Sequence, residues 1–346
     1  MNTETGSQGH TVGRSGIAGR APLAERLARL TRETALWFLE SRPRLIALLI
    51  IVVVLAMAAL YPSTFPTMPN AKAVLLNTTR NSIMVCGMMM LLAAGAFDLS
   101  VGSVLSLAGI VAGTLSIGLG VPGPIAALCA LATGAGAGLI NGLLVTRLRI
   151  NPLIVTLGTM SAFLGLTQLI SGSGIDRLPA SLTVFGQTVL FGFQLPFWIA
   201  ITVVLVSWFL MSQTAYFRQL YFIGGNAKAA KLSGIRNARV LTVAFMIMGT
   251  LAALAGVLDA ARLSGADSTA GAGSELQIVT AAVLGGASLE GGEGTVLGGV
   301  LGVLFIALVQ NSLLHLGVGV FWQNIVTGVV LIIAVGLDSV THRESA

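Results

Sequence analysis

Residues Gly95–Ser103 read GAFDLSVGS, and Asp98 in this stretch is the only charged side chain between Asn81 and Thr146. Apolar sequence flanks it on both sides, so the stretch breaks what would otherwise be one long hydrophobic run. An ionised carboxylate deep in hydrocarbon costs several kcal/mol, about 3 or more, and intramembrane acids are therefore rare and usually functional. Asp98 is either a structural residue at a break between two helices or a group placed in a path across the membrane.

The rest of the chain is built to the same rule. Its 346 residues are 55% hydrophobic and only 9% charged, with a mean hydropathy of +0.91, where soluble proteins carry roughly a quarter charged residues. Apolar runs of about 20 residues, the length a hydrocarbon core of about 30 Å requires, recur from Leu45 to Leu337. The expected fold is an all-α polytopic membrane protein. Ten spans are expected, at 45–61, 81–97, 101–119, 123–146, 152–171, 196–212, 240–262, 275–289, 296–315 and 321–337. In domain terms this gives a cytoplasmic tail over 1–44, a transmembrane domain over 45–338 and a short cytoplasmic tail over 339–346.

Basic residues in short loops favour the cytoplasm. Arg42 and Arg44, then Arg147 and Arg149, then Arg218, Lys228, Lys231, Arg236 and Arg239, then His342 and Arg343 all fall on one side if ten spans alternate. Both termini are then cytoplasmic, and the longest outer loop lies near 172–195. Leu23, Leu27 and Leu30 recur at helical spacing among Arg26, Arg29 and Arg32, which suits a helix lying on lipid; a solvated charged tail is the alternative. The first apolar run starts late and no A-x-A-like site follows it, so the N-terminus is expected to remain attached. The net charge of +6 is explained by these loops, and no basic-aromatic interleaving points to nucleic acid.

Glycine is abundant, with 43 residues, and small residues let membrane helices approach closely; Gly134–Gly138 and Gly298–Gly302 have such spacing. GAFDLSVGSVLS around spans two and three weakly echoes GASLEGGEGTVLG around eight and nine. Interrupted helices at matching places in two halves are a mark of transporter repeats.

No catalytic constellation is present. His10, His315 and His342 are scattered, no metal-ligand cluster stands out, and the dipeptide Gly-Lys of a phosphate-binding loop is absent from the chain. Cys86 and Cys129 lie in apolar runs and read as small core residues. The chain is expected not to be an enzyme, and any ATP must be bound by a partner.

The loop YFRQLYFIGGNAKAAKLSGIRNAR, residues 216–239, carries five basic residues and no acidic one. Asn226 is a good helix N-cap, Ala227–Ser233 are helix formers and Gly234 is a natural stop. The short helix presents Ala229, Ala230, Lys228 and Lys231. It can enter a groove on another protein, or its charges can simply obey the positive-inside rule.

IGGNAKAAKLSGI, followed by ELQIVTAAVLGGASLEGGEGTVLGG, together with FDLSVGS and NGLLVTRLRINPLIVTLGTMSAFLGL, resembles the ribose-type family of permease subunits of ABC importers. The likeness runs from about residue 70 to 338. It implies that Gly224, Gly225, Asn226, Ala227, Ala229, Ala230, Lys231 and Gly234, in a cytoplasmic loop over 213–239, form the coupling helix that docks in an ATP-binding subunit. It also implies a second permease copy or paralogue, a periplasmic sugar-binding protein, ATP and Mg held by the partner, and a place in the bacterial inner membrane.

With Ser100 and Gly102, Asp98 is read as a helix break in preference to a place in the path. Asn141, Thr156, Thr159, Gln168, Gln310, Asn311, Gln323 and Asn324 are candidate path residues, although such groups as often bridge helices. Glu275 reads as a docking charge for the binding protein or as a helix N-terminal charge. The alternative to the importer is a proton- or sodium-coupled secondary transporter using Asp98. A membrane-embedded enzyme lacks the paired groups it would need.

Overall fold

A computed structural model describes residues 42–319, 322, 323, 325–330, 332 and 336. Residues 1–41, with the surface segment around Leu23–Leu30, the C-terminal tail, Asn324 and part of the tenth expected span lie outside the described residues.

The first helices follow from the apolar runs and their caps. They are α1 (Arg42–Leu60), α2 (Met68–Ala93), α3 (Val101–Gly118), α4 (Gly123–Thr146) and α5 (Pro152–Ser171). The expected boundaries of α4 and α5 hold. Both have Pro in the first turn, and the Asn151 side chain accepts from Leu153 N at 2.8 Å at the start of α5. The start of α2 differs. It begins at Met68, ahead of the expected Asn81, because Thr67 caps it and Pro69 sits in the first turn, so Lys72, Asn77 and Arg80 are helical.

Beyond α5 come β1 (Gly174–Asp176), α6 (Ala180–Gln187) and a hairpin of β2 (Val189–Leu190) and β3 (Phe193–Gln194). The chain continues through α7 (Leu195–Gln213), α8 (Ala215–Gly225), α9 (Ala227–Leu232), α10 (Asn237–Leu263), β4 (Gly265–Asp267), α11 (Ser274–Leu284) and α12 (Val296–His315). β1 and β4 pair antiparallel, with Ile175 opposite Ala266. The short strands and α6 were not expected from the sequence.

Among the described residues seven helices are long and apolar enough to cross a membrane: α1 from Pro43, and α3, α4, α5, α7, α10 and α12. The ten expected spans are therefore reached only in part. The chain is a multi-pass helical membrane protein, but α2 carries polar residues in its first half and α11 spans only 11 residues. The expected run 275–289 ends at Leu284, where the chain enters the glycine turn at Gly285 and Gly286.

The C-terminal half of α2, from Ile83 to Ala93, is buried along its whole length and forms the axis of the core. Helix α10 packs across it and against α4 through small residues. A Cβ on Gly134 would collide with the Gly249 carbonyl, and one on Gly138 with the Phe245 carbonyl. The helices thus meet backbone to backbone, as the glycine spacing predicted. Gly298 and Gly302 meet the carbonyls of Gly285 and Ala281 in the same way. Large apolar residues such as Leu55, Ile154 and Leu169 stay exposed, which suits a surface facing lipid.

Contacts sort the loops onto two ends. At one, Gly292 N donates to Ala93 O at 3.0 Å and the Tyr221 hydroxyl to Gly294 O at 2.8 Å. At the other, Ser268 N donates to Ser173 O at 3.1 Å, Gln187 Nε2 to Ser264 Oγ at 2.7 Å, and Lys72 Nζ sits 5.4 Å from the Phe193 ring centre. Arg147, Arg149, Arg218, Lys228 and Lys231 lie toward the first end.

Candidate functional site: a coupling junction and a polar cavity

Helix α9 forms where the sequence places it. Asn226 Oδ1 accepts from Lys228 N at 3.1 Å and Ala229 N at 2.9 Å. Its end closes by Gly234 N donating to Lys231 O and Ile235 N to Ala230 O, both at 3.1 Å, with Gly234 at φ +86°. This paired closure uses a left-handed residue, which glycine adopts without steric cost. The face differs from expectation. Ala230 is 4% exposed and packs into the chain's own core, whereas Leu232 is 91% exposed beside the exposed Lys228 and Lys231. Ala227 and Ala229 remain exposed.

Helix α8 ties α9 to both glycine-rich breaks. A Cβ on Gly224 would strike Ala93 O and Gly292 N, and one on Gly291 would lie 2.8 Å from Gly95 N and 2.9 Å from Gly224 Cα. A Cβ on Gly225 would meet open space. The two segments that echo each other in sequence therefore touch, and α8 touches both. Burial pushes the Tyr221 phenol above its ordinary value.

Asp98 lies inside the bundle and not at its rim. After α2 the chain turns at Gly95 and runs back inward, leaving Asp98 1% exposed. Its Oδ1 accepts from Ser100 N at 2.8 Å and Ser100 Oγ at 2.6 Å, and its Oδ2 from Asn141 Nδ2 at 3.2 Å. Asn141 Nδ2 also donates to Ser100 Oγ at 2.8 Å. Asn141 stands five residues before the end of α4, about 8 Å in at 1.5 Å per residue. The contacts form a buried knot joining the start of α3 to α4. Gly102, one turn on, meets the Gly271 carbonyl, and a Cβ there would lie 2.5 Å from Glu275 Oε2. Glu275 Oε1 accepts from Gly273 N at 3.1 Å, the contact expected of a helix N-terminal charge.

The other path candidates fall into two groups. Thr156 and Thr159 bond back to Pro152 O and Val155 O of their own helix, at 2.9 and 3.0 Å, and Gln168 is exposed. Gln310, Asn311 and Gln323 instead line a cavity of about 410 Å³ between α2, α10, α11 and α12. Asp98 lines neither this cavity nor a second one of about 420 Å³.

The sequence reading named Gln310, Asn311 and Gln323 but missed the charged part of this wall. Asp259 is 8% exposed and pairs with Arg80 at 3.4 Å and Arg262 at 3.0 Å, while Arg80 also donates to Ala270 O at 3.2 Å. Asn77 and Asn81 extend this wall, with Asn81 Nδ2 donating to Gln277 Oε1 at 3.2 Å. Asn311 exchanges hydrogen bonds with Asn70 at 2.9 and 3.2 Å. The spacing of Asp259 and Arg262, three residues apart in an apolar helix, was the available signal. From Asn81 to Ala93 along α2 is about 18 Å, so cavity and junction occupy opposite parts of the bundle. Among the described residues no group of three His, Cys, Asp or Glu is placed to hold a metal.

Known proteins match this sequence over most of its length. The ribose import permease protein of Escherichia coli is 37% identical over 311 residues, 88% of this chain and 95% of that protein. The ribose import permease protein of Bacillus subtilis is 38% identical over 294 residues, 83% of this chain and 89% of its own. The L-arabinose ABC transporter permease protein of Azospirillum brasilense is 34% identical over 314 residues, 89% and 90%. No solved structure matches. The family described as branched-chain amino acid transport system / permease component matches residues 70–335, from the first turn of α2 to the end of the described chain, and this protein belongs to it.

Proposed function

We propose that this chain is the permease subunit of an ATP-driven importer in the bacterial inner membrane, passing a sugar or related polyhydroxylated solute delivered by a periplasmic binding protein. The observation that carries this is the identity with ribose and arabinose permeases along nearly the whole chain. In this reading α2, α11 and the segment after α12 complete ten spans, both termini are cytoplasmic, and a second permease copy or paralogue completes the pathway.

The chain itself has no catalytic role. ATP and Mg belong to a separate ATP-binding subunit, which α9 meets through Leu232, Lys228 and Lys231. When that subunit closes, α8 moves with α9, and the backbone contacts of Gly224 with Ala93 and Gly292 carry the displacement into α2 and the α11–α12 turn. Coupling requires that each partner bind the two conformations with different affinity. The ion-coupled alternative loses ground because both Asp98 oxygens are occupied by neighbours and face neither large cavity.

The test is ATPase activity and sugar uptake in proteoliposomes holding this chain with the ATP-binding subunit and binding protein encoded beside it. One sugar stimulating hydrolysis only when the binding protein is present supports the importer. Uptake that follows an ion gradient and ignores ATP overturns it.

A further inference from the structure

The cavity between α2, α10, α11 and α12 has the chemistry of a solute site. Its volume of about 410 Å³ falls in the range of roughly 300–1,000 Å³ of small-molecule pockets. Its polar side chains come from elements far apart in sequence, as a site built by the fold requires. Asp259, 8% exposed, supplies carboxylate oxygens held by Arg80 and Arg262, and the fixed pairs leave the group carrying one net positive charge.

Asn77 and Gln310 line the same space, and their side chains make no hydrogen bond among the described residues. An amide offers both a donor and an acceptor, which is what a hydroxyl needs. Asn81 Oδ1 is buried without a partner on this wall, a further acceptor left unpaired. Among the described residues the lining contains no aromatic ring, and its polar groups offer hydrogen bonds. Such a site orients a solute without trapping it.

We propose that this cavity is where the membrane subunit receives its solute, an uncharged polyhydroxylated molecule of monosaccharide size, with Asn77 and Gln310 bonding its hydroxyls beside the Arg80–Asp259–Arg262 group. The assignment rests on the importer reading above. Asp259 offsets one of the two guanidinium charges, and the N–H groups of Arg80 and Arg262 not used by Asp259 and Ala270 O supply further donors to sugar hydroxyls.

The experiment measures initial uptake of radiolabelled D-ribose and L-arabinose, with D-ribose 5-phosphate as the charged probe, by proteoliposomes of the full complex. The wild type is compared with Asn77→Leu, Gln310→Leu and the double variant. Neither side chain bonds to another among the described residues, so yield and melting temperature are expected to stay unchanged; should leucine lower them, Asn77→Asp and Gln310→Glu replace these variants. Loss of one neutral hydrogen bond corresponds to roughly a 2- to 12-fold effect. Each single variant is expected to slow uptake of the transported sugar several-fold and the double variant more than tenfold, while the ATPase rate without sugar is retained. Wild-type uptake of a sugar with unchanged uptake by the double variant overturns the cavity and leaves the importer standing. A wild type that transports neither sugar, or transports the phosphate equally well, overturns the proposed solute class; ATP-independent, ion-driven uptake overturns the importer as well.

Discussion

Gly224 and Ala93 meet backbone to backbone: a Cβ on Gly224 would fall against the Ala93 carbonyl oxygen, the atom that already accepts the Gly292 N–H at 3.0 Å. Three separate segments thus share one point, and the shared atom is a main-chain oxygen that cannot move aside as a side chain can. Gly224→Ala inserts a methyl there. Overpacking of this kind costs about 1–3 kcal/mol, partly offset by the better helix propensity of alanine, about 1 kcal/mol. Gly225→Ala, whose Cβ meets open space, is the matched control. The Gly224 variant is expected to lower sugar-stimulated ATPase and uptake together, with Gly225→Ala near wild type. Equal behaviour of the two would remove the junction from the coupling route.

The orientation of α9 makes opposite predictions for two neighbouring residues. Leu232→Asp places a charge on a side chain that is 91% exposed, so folded yield and melting temperature should hold while stimulation of the ATP-binding subunit is lost. Ala230→Asp puts a carboxylate into a site that is 4% exposed. Burying an unpaired charge is strongly unfavourable, and this variant should fail at the level of folded yield. Full transport by Leu232→Asp would place the docking surface elsewhere.

Asp98 accepts three hydrogen bonds and donates none. In Asp98→Asn one oxygen still accepts from Ser100, but the new amide faces the Asn141 amide, and the conflict should cost about 1–2 kcal/mol, one hydrogen bond together with the desolvation of its group. Asp98→Ala leaves the buried Ser100 N–H, the Ser100 hydroxyl and the Asn141 amide without their acceptor and should cost more, about 3 kcal/mol. Melting temperature in detergent, read against transport per folded molecule, separates the roles. Normal melting with abolished transport in Asp98→Asn would return this carboxylate to the pathway.

What the sequence disclosed follows the range of the physics involved. Caps act over three or four residues, so Asn226 and the stop at Gly234 were readable, and with them the bounds of α9. Close packing of Gly134 and Gly138 was readable because only glycine permits that approach. The start of α2 was misplaced because the apolar run begins at Asn81, whereas the polar turns before it are helical and face the cavity through Asn77 and Arg80. The inward turn of Ala230 was invisible, since a six-residue helix with small residues on several sides carries no periodicity to say which side is buried. The pairing of Arg80 with Asp259 joins positions 179 apart, and only the fold brings them within reach.

That pairing supplies the last prediction. Asp259 is 8% exposed and shared by two guanidiniums whose side chains are 30% and 25% exposed. Removing one partner of a fully buried pair costs about 3–5 kcal/mol; here solvent reaches both arginines, so Asp259→Ala should cost less, about 2–3 kcal/mol. Arg262→Ala removes an i,i+3 partner on the same helix and leaves Asp259 with Arg80, so its cost should stay below about 1 kcal/mol, within the range of partly exposed pairs. The order of melting temperatures, wild type above Arg262→Ala above Asp259→Ala, checks the arrangement. If Arg80→Ala in the Asp259→Ala background restores part of the loss, the destabilisation comes from unpaired positive charge, whereas a strictly additive double variant would show that the three side chains do not act as a group.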